Sequence, residues 1–258
     1  MDSNIKYEVN GRVAVITINR PEKMNALSLD DQFDLDATWI KFKNDEQAVV
    51  GIIIGSGDRA FCVGADLKDT GSVSPRNKDK GPHLAERSIY PREYALGKPV
   101  IAAINGHALG MGAALVMQSD LRIISNNGAI GYPLVGLGMM PGALHDFWMS
   151  SPSVIAMHAL YTGKSINSED AYRAGIVNQV VKVEEIKEAA LSMANEIAKN
   201  APLVIRAIKD TWDGQQEFRE IKAWRDFSRF SNTVDASADR EEGRTAYREN
   251  RTPNWENK

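Results

Sequence analysis

The sequence predicts an α/β fold with a helical C-terminal third. Three observations carry that expectation. Short apolar runs of strand length alternate with helix-period segments through the first half of the chain. From Ser153 onward the period is mostly helical, with Gly163 and Gly175 as stops and a single late strand at Val177–Val181. The 258 residues, 43% of them hydrophobic and 25% charged, are enough chain to bury both layers around a core.

The elements follow in order. Ile5–Val9 and Val13–Ile18 flank Asn10-Gly11, a pair suited to a type I′ hairpin turn. The loop Asn19–Leu27 carries Pro21. Ser28 then offers a helix N-cap with Asp31 three residues on, and Leu29, Phe33, Ala37 and Ile40 mark one apolar face. Val49–Ile54 reads as a buried strand that ends in Gly55-Ser56-Gly57. The stretch 68–82 is the most loop-like of the chain, and a helix is expected over His83–Leu96. Pro99–Ile104 is another buried strand, entering Asn105-Gly106 and then a small-residue helix over Gly110–Gln118; Leu121–Ser125 is a further strand. Val183–Asn200, Leu203–Asp213 and Gln216–Thr233 complete the helical end.

Composition excludes several classes of function. The 31 Lys+Arg against 34 Asp+Glu leave a net charge of −3, without the basic face that nucleic acid or an anionic membrane demands. The single cysteine, Cys62, rules out an internal disulfide framework and reads as a buried apolar group rather than a nucleophile. His83, His107, His145 and His158 lack metal-ligand spacing, so no metal is expected. Met1–Asn10 is polar, no run is long enough to span a membrane, and a cytoplasmic location is expected.

Motifs narrow the chemistry further. Gly55-Ser56-Gly57-Asp58-Arg59-Ala60 has the letters of a dinucleotide fingerprint, but no helix begins inside it to meet a pyrophosphate. There is no G-x-S-x-G elbow, P-loop or H-E-x-x-H. Two stretches remain, Gly64-Ala65-Asp66 and Asn105–Gly112. Each ends a strand in glycine-rich chain, and the second leads into a helix. Such segments either permit tight packing or aim two unpartnered N–H groups at one point, as an oxyanion hole does.

These stretches, with Asn19-Arg20-Pro21-Glu22-Lys23-Met24-Asn25-Ala26-Leu27, Gly57–Leu67, Lys98–Gly112, Gly138-Met-Met-Pro141-Gly142, Leu160-Tyr-Thr-Gly163, Ala171–Val177 and the tail Arg240–Gly243, Tyr247 and Arg251-x-Pro253, resemble the crotonase superfamily, the enoyl-CoA hydratase/isomerase group, nearly end to end. The resemblance implies a crotonase (ClpP/crotonase-like) spiral of ββα units over residues 1–200. Residues 201–258 would form a helical region for oligomerisation and pocket cover, and the partner would be a second copy in a homotrimer or hexamer. It implies an acyl-CoA substrate, with coenzyme A as part of that substrate and no tightly bound cofactor. Lys23, Ala26, Leu27, Val63, Ala65, Asp66 and Leu67 would border the CoA pocket, and the backbone N–H groups of Ala65 and Met111 would hold the thioester oxygen. Methionine at 111, where glycine is common, narrows that hole without removing its donor.

The chain also departs from the family pattern. The two glutamates that serve typical hydratases fall on Ala114 and Leu134, and a third carboxylate position falls on Gly142, followed by Ala143. None of these side chains transfers a proton. His145, Asp146 and Tyr132 are the replacement proton carriers to consider, against helix-start, subunit-contact and wall-packing roles. Tyr90, Tyr94, Glu86 and Glu93 lie in the variable segment that caps the acyl end, and Arg251 is expected to supply the charge toward CoA phosphates. Isomerisation, decarboxylation or hydrolysis through a thioester enolate is the leading expectation, with a catalytically silent acyl-CoA-binding or assembly protein as the alternative. RNA binding has no basic stretch behind it.

Overall fold

The structure, a computed structural model, describes residues 3–68, 89–140 and 144–256, with position 145 and residues 216–232 described as backbone alone. Two sheets organise the described chain. The larger has six strands in the order β1 (Ile5–Asn10), β2 (Val13–Ile18), β3 (Val50–Gly55), β5 (Val100–Ile104), β7 (Leu121–Ser125) and β10 (Gln179–Val181). The smaller has four, β4 (Ala60–Cys62), β6 (His107–Leu109), β8 (Ala129–Gly131) and β9 (Ile166–Asn167). Pairing is parallel except for β1 with β2 and β8 with β9. Each pass of the chain gives one strand to the large sheet and the next to the small one, as β3–β4, β5–β6 and β7–β8 do. The second and third passes then close with α2 (Met111–Gln118) and α3 (Leu144–Ser150). That repeat is a ββα spiral, and α4 (Ser153–Thr162) and α5 (Ser168–Arg173) follow it on either side of β9.

Strand periodicity sorts the core into two layers. Val15, Ile52, Ile101 and Ile123 face one way, where Ile186, Ala190, Ala194 and Ala198 of α6 (Ile186–Ala198) cover them. Their spacing of four puts these on one helix face, and the alanines let the helix approach the sheet. Ile16, Ile53, Ala102 and Ile124 face the other way, toward Leu35, Trp39 and Phe42 of α1 (Leu29–Asn44) and Leu115 and Val116 of α2. β3 is buried at every position, which explains why it reads as an unbroken apolar run.

Several expectations are corrected. The hairpin turn is Gly11-Arg12, with Asn10 paired to Val13 and, of Asn10, Gly11 and Arg12, only Gly11 at positive φ (+60°), which makes it type II′ rather than I′. As expected, the Gly55–Ala60 turn opens no helix and has no phosphate-binding terminus, because Ala60–Cys62 is a strand. Gly214 does not split the helical end, because α7 runs unbroken over Pro202–Asp235. Of the helix expected over His83–Leu96, residues 83–88 lie outside the described residues, and Pro91–Tyr94 form a single 3-10 turn. The Ser28 cap holds: Asp31 N–H donates to Ser28 Oγ at 3.2 Å and Ser28 N–H to Asp31 Oδ2 at 2.9 Å. Among the described residues, no helix is long and apolar enough to cross a membrane.

Candidate active site

The site starts from a buried asparagine. Asn25 sits at a φ of +56°, its Oδ1 accepting from Arg20 N–H (2.9 Å) and its amide donating to the carbonyls of Ser56 (3.0 Å) and Ala60 (2.8 Å). These bonds carry the 19–27 loop onto the end of the sheet and lay Leu27 beside Ala65. Leu27 N–H donates to Gly64 O at 2.8 Å, and Asp66 N–H to Leu27 O at 2.9 Å. Backbone groups alternate sides along extended chain, so the Ala65 amide points away from Leu27.

On that far side stands the start of α2. Gly64 has a φ of +103°, and a methyl group on it would lie 3.2 Å from Leu109 O and 3.4 Å from Met111 N. Glycine is required there by conformation and by the closeness of the approach. Gly112, one residue into α2, packs so closely on the Cys62 carbonyl that a methyl group would collide with its oxygen. The two glycines thus seat α2 against the 62–65 segment, and the amides of Ala65 and Met111 become neighbours. Neither has a hydrogen-bond partner among the described residues. Ala65 is exposed and Met111 half-buried, which puts the pair on a solvent-reachable rim.

Arg20 fixes the rim from behind. Its guanidinium reaches Asp66 at 2.9 Å and donates to Ala26 O at 3.1 Å. Burial pushes the Asp66 carboxyl up, but the Lys68 N–H (3.0 Å) and Arg20 outweigh it and hold the group below its ordinary value. Ala26 and Leu27 are buried under the rim, Val63 is half-buried, and Lys23 and Leu67 are exposed beside it. Ala114, three residues past Met111, is buried, while Leu134 is half-buried in the 3-10 turn Pro133–Leu137. Both offer hydrocarbon.

Behind α2 lies a second polar group. Asp146 is buried, ion-paired with Arg92, and accepts from Gln118 Nε2 at 3.0 Å. Tyr132 is fully buried with its ring 5.3 Å from that of Phe147, and its Oη has no partner among the described residues. Burial raises the Tyr132 phenol well above its ordinary value, with Tyr90 and Asp146 adding to it, so it is a neutral donor. Cys62 is likewise buried, its thiol pushed up to about 12 by burial. The backbone of position 145 lies in α3, but the His145 side chain lies outside the described residues, as do Glu86 and the segment 141–143. Arg251 sits in a two-pronged pair with Glu242 (2.6 and 2.9 Å) and also reaches Glu249 at 2.7 Å.

The sequence thus points to Leu27, Ala65, Asp66 and Met111, which adjoin, and to Tyr132 and Asp146, which lie behind α2. It gave no role to Arg20 or to the Arg92–Asp146–Gln118 contact, and no local motif announces either. It also passed over Arg240, Arg244 and Arg248, whose spacing of four marks one helix face.

Residues 8–258 match the sequence model of a family described as Enoyl-CoA hydratase/isomerase. A short-chain-enoyl-CoA hydratase of Clostridium acetobutylicum is 36% identical over 209 residues, 80% of each chain. A carnitinyl-CoA dehydratase of Proteus mirabilis is 31% identical over 99% of each chain. Among solved structures, a carnitinyl-CoA hydratase from Mycobacterium avium superposes with a TM-score of 0.87 at 30% identity, covering 100% of both chains.

Proposed function

Because this chain belongs to the enoyl-CoA hydratase/isomerase family, a family of acyl-CoA enzymes, we propose that it binds an acyl-CoA thioester and stabilises its enolate at the Ala65 and Met111 amides. The observation that carries this reading is the pair of unpartnered amides on one rim, brought together by Gly64. Negative charge grows on the thioester oxygen as the α-carbon becomes carbanionic, and two fixed donors stabilise that charge most when it is greatest. The start of α2 adds the positive end of a helix dipole.

The reaction proposed is not ordinary hydration. Adding water across an enoyl double bond needs an acid and a base, and Ala114 and Leu134 supply neither. Isomerisation, decarboxylation and hydrolysis use the same enolate-stabilising donors with other proton carriers. Decarboxylation fits this site best, since loss of CO2 forms the enolate without a base. Tyr132 is neutral and so a candidate donor, His145 is a further candidate carrier, and Asp146 is committed to Arg92 and Gln118.

The apolar Ala114 and Leu134 also favour a second reading, a silent acyl-CoA-binding or assembly protein. A panel of enoyl-, β-keto- and carboxyacyl-CoA thioesters, followed by mass spectrometry, separates the two. We expect a product from at least one thioester, and crotonyl-CoA hydration at least about 10²-fold slower than by a glutamate-bearing relative. Family-like turnover of crotonyl-CoA sinks the proposal, and binding without turnover of any thioester leaves the silent reading.

A further inference from the structure

A cavity of about 840 Å³ opens between the 67–68 segment, the end of the Pro133–Leu137 turn and α8 (Ala238–Glu249). We propose that it recognises a carboxylate carried on the acyl chain; this rests on the acyl-CoA reading above. Arg240, Arg244 and Arg248 line it from successive turns of α8, Lys68 lines it from the 67–68 segment, and no Asp or Glu is among its described lining residues. Arginine's planar fork matches a carboxylate with two parallel hydrogen bonds.

The arginines are held, yet open to a ligand. A methyl group on Gly138 would meet Asp239 O at 2.7 Å and Arg240 Cα at 3.1 Å, and one on Gly243 would collide with Leu137 O, so α8 is clamped to the turn that contains Leu134. Among the described residues, Arg240 Nη1 is buried without a partner, and the residue's one ion pair is Nε with Asp235 at 3.4 Å. Arg244 and Arg248 share the exposed Glu241 at 3.5 and 3.2 Å, a weak surface pairing that a ligand carboxylate can replace. Arg251, locked to Glu242 and Glu249, shows how an arginine on this tail looks when it is already engaged.

Position favours the acyl chain over the CoA phosphates as the source of the anion. The lining begins at Leu67, two residues past Ala65 and so at most about 7 Å of chain away. A carboxylate on a short acyl chain lies a few bonds from the thioester carbonyl, whereas the phosphates lie a whole pantetheine arm from it.

Calorimetric titration with glutaryl-CoA, butyryl-CoA and free CoA tests this in the intact protein. Glutaryl-CoA is expected to bind at least about tenfold tighter than butyryl-CoA, as charged hydrogen bonds allow. In the double variant Arg244→Gln/Arg248→Gln that preference should vanish while butyryl-CoA binds as before. Lys68→Gln, on a separate segment, should reduce the same preference. Equal loss for all three ligands in the double variant would assign the arginines to CoA phosphates and overturn the proposal. Butyryl-CoA and glutaryl-CoA binding equally to the unaltered protein would overturn it too, with the acyl-CoA reading intact. No binding of any thioester would overturn both.

Discussion

Gly64 carries a constraint that a single methyl group would break. Alanine there must hold a φ of +103° and press on Leu109 O and Met111 N, so it moves one amide of the pair relative to the other. On the proposed mechanism Gly64→Ala lowers kcat on the reactive thioester by about 10²–10³-fold, the cost of one misplaced donor. Steady-state rates beside an unchanged circular dichroism spectrum check it. Gly112→Ala also costs stability, because its methyl group runs into the Cys62 carbonyl; a loss of about 1–3 kcal/mol in urea unfolding is expected. Burial keeps the neighbouring Cys62 thiol protonated at neutral pH. An aromatic disulfide reagent should therefore leave it unmodified in the native protein and label it once the chain is denatured, and fast labelling of the native state would contradict the packing described.

The elements differ in how much of them a reader of the sequence can see. Six-residue strands such as Val13–Ile18 span enough residues to show their apolar character, and Ser28 with Asp31 announces the start of α1. The strands of the small sheet are two or three residues long, too short to display a period of two, and so pass for loop. The rim lies between these extremes. Its glycines are plain in the sequence, but which backbone each one touches depends on Asn25 and Arg20, contacts made across the chain. Asp66 gives this element a pH signature. Its folded carboxyl lies below its ordinary value, so its contribution to stability is fully present above the unfolded value of about 4 and is lost as pH falls through the folded one. Asp66→Asn should flatten the acid limb of a stability-versus-pH curve below about pH 4 and leave its shape near neutrality unchanged.

Over the whole molecule, one buried side chain helps to join the two sheets. Asn105, buried at the β5–β6 corner, accepts from Gly55 N–H at 3.1 Å and donates to Gly57 O at 2.8 Å and Ala60 O at 3.1 Å. It therefore ties the ends of β3, β4 and β5 together. Asn105→Ala leaves the buried Gly55 N–H without this partner, while Ala60 O keeps its bond from Asn25 and Gly57 is exposed. The expected result is a drop of about 1–3 kcal/mol in unfolding free energy, measured by urea titration. A change near zero would show that solvent replaces the amide there.

The paired amides of Ala65 and Met111 belong to the main chain, and every amino acid except proline supplies the same N–H. Side-chain scanning through these two positions is therefore blind to them. On the proposed mechanism, lineages of this chain can exchange every acid and base around the rim while the two donors persist. Swapping the Met111 amide for an ester by chemical ligation, which replaces the N–H with an oxygen and keeps the side chain, is the experiment that ordinary codons cannot write.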